Sequence, residues 1–232
     1  VWASWTIGVE MIFYAIFPFL FARLRSIPAL TAAFFSALLF AVAFHEFLLH
    51  TALPENVREG YFSLSLPRVL PIFLFGMLGY RLYREKISAG QWPPSMGYAL
   101  VALSLYAYHA LLFRGLNFGF TDVYYWEGII YGILLFGLAI YPLRLFVNRA
   151  TQYLGRISYS IYLLHPSIVL FLEPVYTRIY AQPFPLSVQF LLSAVITLAT
   201  TSAAASLTYL LIEKPGMNLG KKILQSKLLT TW

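Results

Sequence analysis

Two ionisable side chains lie inside long apolar stretches, where a charge is costly and marks a functional hypothesis by default. One is Glu10, in Ser4-Trp5-Thr6-Ile7-Gly8-Val9-Glu10; the other is His165, which Pro166 follows directly. On a helix, Thr6, Glu10 and Tyr14 fall at i, i+4, i+8 and form one polar stripe. With the helix entering lipid near Trp5, Glu10 lies about 7 Å below the interface at ~1.5 Å per residue. A carboxylate there needs a cation, hydrogen-bond donors or a water-filled cavity. So placed, it can act as a general base, orient a histidine, or accept a hydrogen bond from a hydroxyl substrate. Pinning helices together is the purely structural alternative. Ser158, Tyr162 and His165 fall at i, i+4, i+7 and face the same way. His165 lies ~13 Å beyond Arg156, near mid-bilayer. An imidazole is the natural proton shuttle near neutral pH, and Pro166 is expected to open the local backbone ladder.

Other polar residues carry less. Glu46 and His50 make an i, i+4 pair beside His45, but loose ligands at an interface are ordinarily solvated and no metal site is expected. His109 is interfacial by position. Arg81 and Arg84 can snorkel to the headgroups or hold a phosphate-bearing cofactor. The sequence has no P-loop, dinucleotide-type glycine run, H-E-x-x-H or G-x-S-x-G.

The elements that must position these residues follow from composition. Of 232 residues, 60% are hydrophobic and 11% charged, and the mean hydropathy is +0.73; a soluble domain is about half apolar and about a quarter charged. The apolar runs are continuous and lack the alternation of a barrel strand, so the fold class is all-α, a polytopic transmembrane helical bundle. About seven spans are expected, over residues 7–22, 28–49, 67–83, 95–113, 128–147, 157–172 and 186–212. Tyr124-Tyr125-Trp126 reads as an aromatic belt in the loop before the fifth. The seventh, rich in Ser and Ala, reads as a close-packing helix. The chain has no cysteine, which excludes disulfides and thiolate-ligated metals.

The net charge of +7 follows topology rather than a nucleic-acid partner. Arg23, Arg25, Arg81, Arg84, Lys86, Arg144, Arg149, Arg156, Lys214, Lys221, Lys222 and Lys227 fall in alternate loops, leaving only Arg58, Arg68, Arg114 and Arg178 for the opposite side. The positive-inside rule places the larger set in the cytoplasm, so the N-terminal end is expected outside and residues 214–232 form a basic cytoplasmic tail.

Several segments together resemble the acyltransferase-3 family of integral-membrane O-acyltransferases. Residues 4–14, Ser-Trp-Thr-Ile-Gly-Val-Glu-Met-Ile-Phe-Tyr, are similar to its W-S-L-S-V-E-x-x-F-Y segment. Residues 154–165, Leu-Gly-Arg-Ile-Ser-Tyr-Ser-Ile-Tyr-Leu-Leu-His, resemble L-G-x-I-S-Y-S-x-Y-L-x-H, and Tyr209 to Pro215 resemble Y-x-x-I-E-x-P. Pro71 to Gly76 fits a looser stretch, whereas Thr6, Gly8 and Met11 depart from the pattern. The resemblance implies a roughly ten-helix bundle, so that seven spans starting outside correspond to a C-terminal portion. The family's principal histidine and its neighbouring arginines belong to the helices before that portion. It also implies transfer of acetyl from cytosolic acetyl-CoA to a hydroxyl of a cell-surface or exported glycan, or of a lipid-linked saccharide, at the plasma (inner) membrane of a bacterial envelope. Glu10 and His165 would be the catalytic candidates here, with Thr6, Tyr14, Ser158 and Tyr162 contacting substrate and Arg81, Arg84 and Arg156 clamping the CoA phosphates. The same polar groups also suit a flippase for lipid-linked sugars, or a scaffold in which they are structural only.

Overall fold

The computed structural model describes residues 4–88, 90, 92–115 and 122–225, with the side chains of residues 4–6, 223 and 224 outside that description. Every described element is helical. Among the described residues, five helices are long and apolar enough to cross a membrane. They correspond to the second, third, fourth, fifth and seventh expected spans. The first and sixth coincide with α1 (Ser4–Arg23) and with α8 (Ser158–Phe171), a shorter apolar helix. The described residues divide into two compact units, residues 5–147 and 148–225.

The first unit carries α1, α2 (Ile27–Leu49), α3 (Glu55–Ser63), α4 (Leu66–Leu82), α5 (Pro94–Phe113) and α6 (Val123–Ile140). Ser26 starts α2 by accepting from the Ala29 N–H at 3.3 Å, with Pro28 in the first turn, where no N–H is needed. α4 lies between α2 and α6, and α5 packs on α6. Phe13 of α1, Leu30, Phe34 and Ala37 of α2, and Leu74 and Met77 of α4 are buried together. Phe13 stacks on Phe73 with ring centres 4.0 Å apart. The α5–α6 contact depends on glycine: a Cβ on Gly97 would stand 2.7 Å from the Cβ of Tyr141 and 3.0 Å from the carbonyl oxygen of Gly137. Small residues let helix backbones approach this closely in lipid.

The fifth span differs from the sequence reading. Tyr124, Tyr125 and Trp126 form the first turn of α6 rather than a loop, because Asp122 caps the helix, accepting from the Tyr124 N–H at 3.1 Å. α6 therefore ends at Ile140, ahead of Pro142.

The second unit carries α7 (Arg149–Arg156), α8, α9 (Glu173–Tyr180), α10 (Leu186–Thr208) and α11 (Lys214–Gln225). Asn148 and Thr151 close a reciprocal capping box on α7. Gln189, almost fully buried, donates at 2.8 Å to the Gln182 carbonyl and fastens the α9–α10 corner. Wide π-turns follow α4 at Tyr83–Ile87 and α10 at Tyr209–Glu213. Pro215 accounts for the second: it has no N–H for the carbonyl four residues back, and its ring crowds that carbonyl. Helix then resumes, so the stretch expected as a basic tail begins as α11.

Candidate active site

His165 and Pro166 define the most specific geometry in the molecule. In a regular helix the Tyr162 carbonyl would accept from the N–H of residue 166, which as proline has none. α8 nevertheless runs unbroken from Ser158 to Phe171. The released carbonyl lies 2.7 Å from His165 Nδ1. A carbonyl oxygen can only accept, so Nδ1 carries the hydrogen and donates. The neutral imidazole then holds its lone pair on Nε2. This is the tautomer a general base requires at Nε2, and the chain sets it with its own backbone.

His165 borders a cavity of about 560 Å³ between α8, α9 and α10. Ile161, Val169, Phe190 and Leu198 give it apolar walls, and Tyr176, Ser193, Thr197 and Thr201 contribute hydroxyls. Tyr176 and Thr197 share a 2.6 Å hydrogen bond across it. Along α10, Ser193, Thr197, Ser206 and Thr208 each donate to the carbonyl four residues back. Thr201 differs: it is 3% exposed, and its buried hydroxyl has no partner among the described residues. A buried unsatisfied hydroxyl costs about 1–3 kcal/mol, so a polar ligand group reaching Thr201 would recover that cost. Sequence reasoning missed Tyr176, Thr197 and Thr201, because hydroxyls at four-residue spacing on an apolar helix look the same whether they close a contact or line a hollow.

The other residues singled out from sequence are placed as follows. Tyr162 sits beside His165 with ring centres 5.8 Å apart. Ser158 turns its hydroxyl onto the Gly155 carbonyl at 2.9 Å. Its neighbour Ser160 is 2% exposed and donates at 2.9 Å to Glu213, on the π-turn after α10. This bond joins two of the segments that carried the family resemblance. Arg156 is exposed in the last turn of α7.

In the first unit, the Tyr14 hydroxyl points to Glu10 Oε2 at 3.4 Å on the half-exposed face of α1. Thr6 falls on the same helix, but its side chain is outside the described residues. Arg81 lies 3.8 Å from Glu85, and Arg84 donates to the Tyr80 hydroxyl at 3.0 Å. Tyr80 lines a cavity of about 600 Å³ between α4 and α6, floored by Gly76, Gly79, Gly128 and Gly132. A cation therefore stands beside an apolar slot. His45 pairs with Glu59 at 3.6 Å. Among the described residues, no group of three or more His, Asp or Glu is arranged to hold a metal ion.

A family model described as an acyltransferase domain matches residues 1–206. The chain belongs to the acyltransferase-3 family. No curated protein and no solved structure matches it. The match covers both units of this membrane acyltransferase, up to Ser206 in α10, and so takes in Glu10, Arg81, Arg84, Arg156 and His165. Acyl transfer to a hydroxyl needs a base at the attacking oxygen, donors for the developing oxyanion and a place for the donor. In the second unit His165 borders the cavity lined by Thr201, whose hydroxyl has no partner among the described residues; in the first, Arg84 and Lys86 lie on the π-turn after α4.

Proposed function

We propose that this acyltransferase moves an acetyl group from cytosolic acetyl-CoA to a hydroxyl of a cell-surface or exported glycan, or of its lipid-linked precursor, at the plasma membrane of a bacterial cell. The observation that carries this reading is the bond from His165 Nδ1 to the proline-released Tyr162 carbonyl, which leaves the Nε2 lone pair free on a residue bordering a largely apolar cavity that Thr201 also lines.

In the reaction, Nε2 takes the proton of the acceptor hydroxyl as its oxygen attacks the thioester carbonyl carbon. The tetrahedral intermediate collapses with cleavage of the carbon–sulfur bond, and the imidazolium returns the proton to the departing thiolate. The Thr201 hydroxyl, which has no partner among the described residues, is the candidate donor for the transient oxyanion. Tyr162, beside His165, is the candidate to contact the acceptor, and Ser158, whose hydrogen goes to the Gly155 carbonyl, can meet it only as a hydrogen-bond acceptor. Glu10, with Tyr14 donating to it and Thr6 one turn earlier, offers a carboxylate to sugar hydroxyls; the Glu10 carboxylate is the second catalytic candidate. Arg81 and Arg84 in the first unit, and Arg156 in the second, are the candidates to hold the phosphates of CoA, guanidinium groups being suited to bidentate phosphate contacts. The apolar slot beside Tyr80 gives the donor's arm a route away from water.

Transfer of labelled acetyl from acetyl-CoA to glycan, in membranes carrying the full-length protein, tests the assignment. His165→Ala is expected to lower the initial rate about 10²–10⁴-fold, and Glu10→Gln to lower it about tenfold or more through weaker acceptor contacts. Wild-type rates in both variants would remove these residues from the mechanism.

A further inference from the structure

The long helix that closes the second unit is too long for a single crossing. From Leu186 to Lys222 the helical run has 37 residues, about 55 Å at ~1.5 Å per residue, against a hydrocarbon core of about 30 Å. Something over 20 Å must therefore lie beyond the core. The break between the two parts is marked by the π-turn Tyr209–Glu213, followed at once by Pro215 and Gly216. Ser160 holds Glu213 at 2.9 Å and so fixes the point from which the remaining helix departs.

That remaining helix, α11, reads Lys-Pro-Gly-Met-Asn-Leu-Gly-Lys-Lys-Ile-Leu-Gln. Projected at about 100° per residue, Lys214, Asn218, Lys221, Lys222 and Gln225 fall within an arc of about 100°. Met217 and Leu219 occupy the opposite side together with Pro215 and the two glycines. The segregation is complete, and the helix contains no acidic residue. Met217 is 45% exposed and Leu219 61% exposed. Among the described residues, the substantial packing of α11 is against the π-turn that leads into it.

A helix with a cationic stripe and an opposed apolar face, tethered to the end of a membrane span, matches one environment. It lies in the interfacial plane, with apolar side chains among the upper acyl chains and lysines among the headgroups. Water would leave the apolar face unsatisfied, and the hydrocarbon core would not hold three lysines. We propose that α11 is an in-plane amphipathic helix that docks on anionic phospholipid, with Lys214, Lys221 and Lys222 reading the headgroup charge. Its occupant is the lipid surface at the end of α10, and Lys214 sits where the helix turns from spanning to lying flat.

The absence of native cysteine makes the test direct. Single cysteines replace Leu219, Met217 or Asn218 in the full-length protein, carry an environment-sensitive fluorophore, and are reconstituted in vesicles of phosphatidylcholine alone or mixed with phosphatidylglycerol. With anionic lipid, labels at Leu219→Cys and Met217→Cys are expected to be shielded from aqueous iodide and quenched by spin-labelled lipid. The label at Asn218→Cys stays open to iodide. Replacing both Lys221 and Lys222 by Gln should shift the docked-to-free ratio about 30-fold towards free, at about fivefold per lysine. Raised salt should act in the same direction. Equal iodide access at Leu219 and Asn218 in both kinds of vesicle would overturn the proposal in favour of a solvated tail. Shielding at Leu219 that ignores both lipid charge and the two lysines would overturn it in favour of a contact with protein.

Discussion

Proline at 166 acts twice on the helix that carries it. It withholds an N–H from the Tyr162 carbonyl, and it places that carbonyl where the preceding side chain can reach it. The backbone ladder opens at Pro166, as the sequence leads one to expect, yet α8 continues through it, with His165 Nδ1 supplying a donor to the Tyr162 carbonyl. The consequence for the imidazole was legible in the adjacency of His and Pro together with the helix period. What surrounds the imidazole was not. Ser158 looked equivalent to His165 on the same face, yet its hydroxyl is spent on Gly155. Thr201 looked like one more small residue, yet it keeps a buried hydroxyl unpaired. Thr201→Val removes that hydroxyl at nearly constant volume. It should leave stability unchanged or raise it by about 1 kcal/mol, while lowering the acetyl-transfer rate by about tenfold. A wild-type rate would show that the hydroxyl does not meet substrate.

At the scale of elements, residue pattern predicted helix existence well and register less well. α2, α4, α5 and α10 begin within about two residues of expectation. α6 does not, because Tyr124-Tyr125-Trp126 has the composition of an interfacial belt and also serves as a first helical turn once Asp122 caps it. Asp122 has a second task there, accepting from Arg68 Nε at 2.7 Å, while the Tyr125 hydroxyl donates to the Arg68 carbonyl at 2.9 Å. Three polar groups thereby lock the start of α6 to α4. The same helix is fixed along its length by glycine. Gly97→Ala would drive a methyl group against Tyr141 and the Gly137 carbonyl, neither of which is a flexible chain end. We expect it to separate α5 from α6 at a cost of about 1–3 kcal/mol, read as a lower thermal midpoint in detergent. An unchanged midpoint would mean that the two backbones are less closely held than these distances indicate. Gly76→Ala is the control on the neighbouring helix: its added methyl meets nothing within 4 Å, so the midpoint should hold.

For the whole molecule, fold class was readable from composition alone, since a chain this apolar must satisfy its backbone within helices. Division into two units was not readable, because each apolar run looks much like the next and helix partners leave no periodic trace in the sequence. Orientation rests on the alternation of basic loops, and single-cysteine mapping checks it. Asn56→Cys should react with an impermeant maleimide in intact cells, and Ser88→Cys only after permeabilisation; labelling of both from outside would refute the arrangement. Pro166→Ala decides whether the proline-released carbonyl prepares His165 as the base. Alanine restores the N–H, returns the Tyr162 carbonyl to the helix ladder and frees His165 Nδ1 without altering the imidazole. A helix that regains a backbone bond should melt higher, by about 1–3 kcal/mol of added stability, whereas acetyl transfer should slow about tenfold. Stability and rate should thus move in opposite directions in one variant; a variant both more stable and fully active would show that the Tyr162 carbonyl does not prepare His165 as the base.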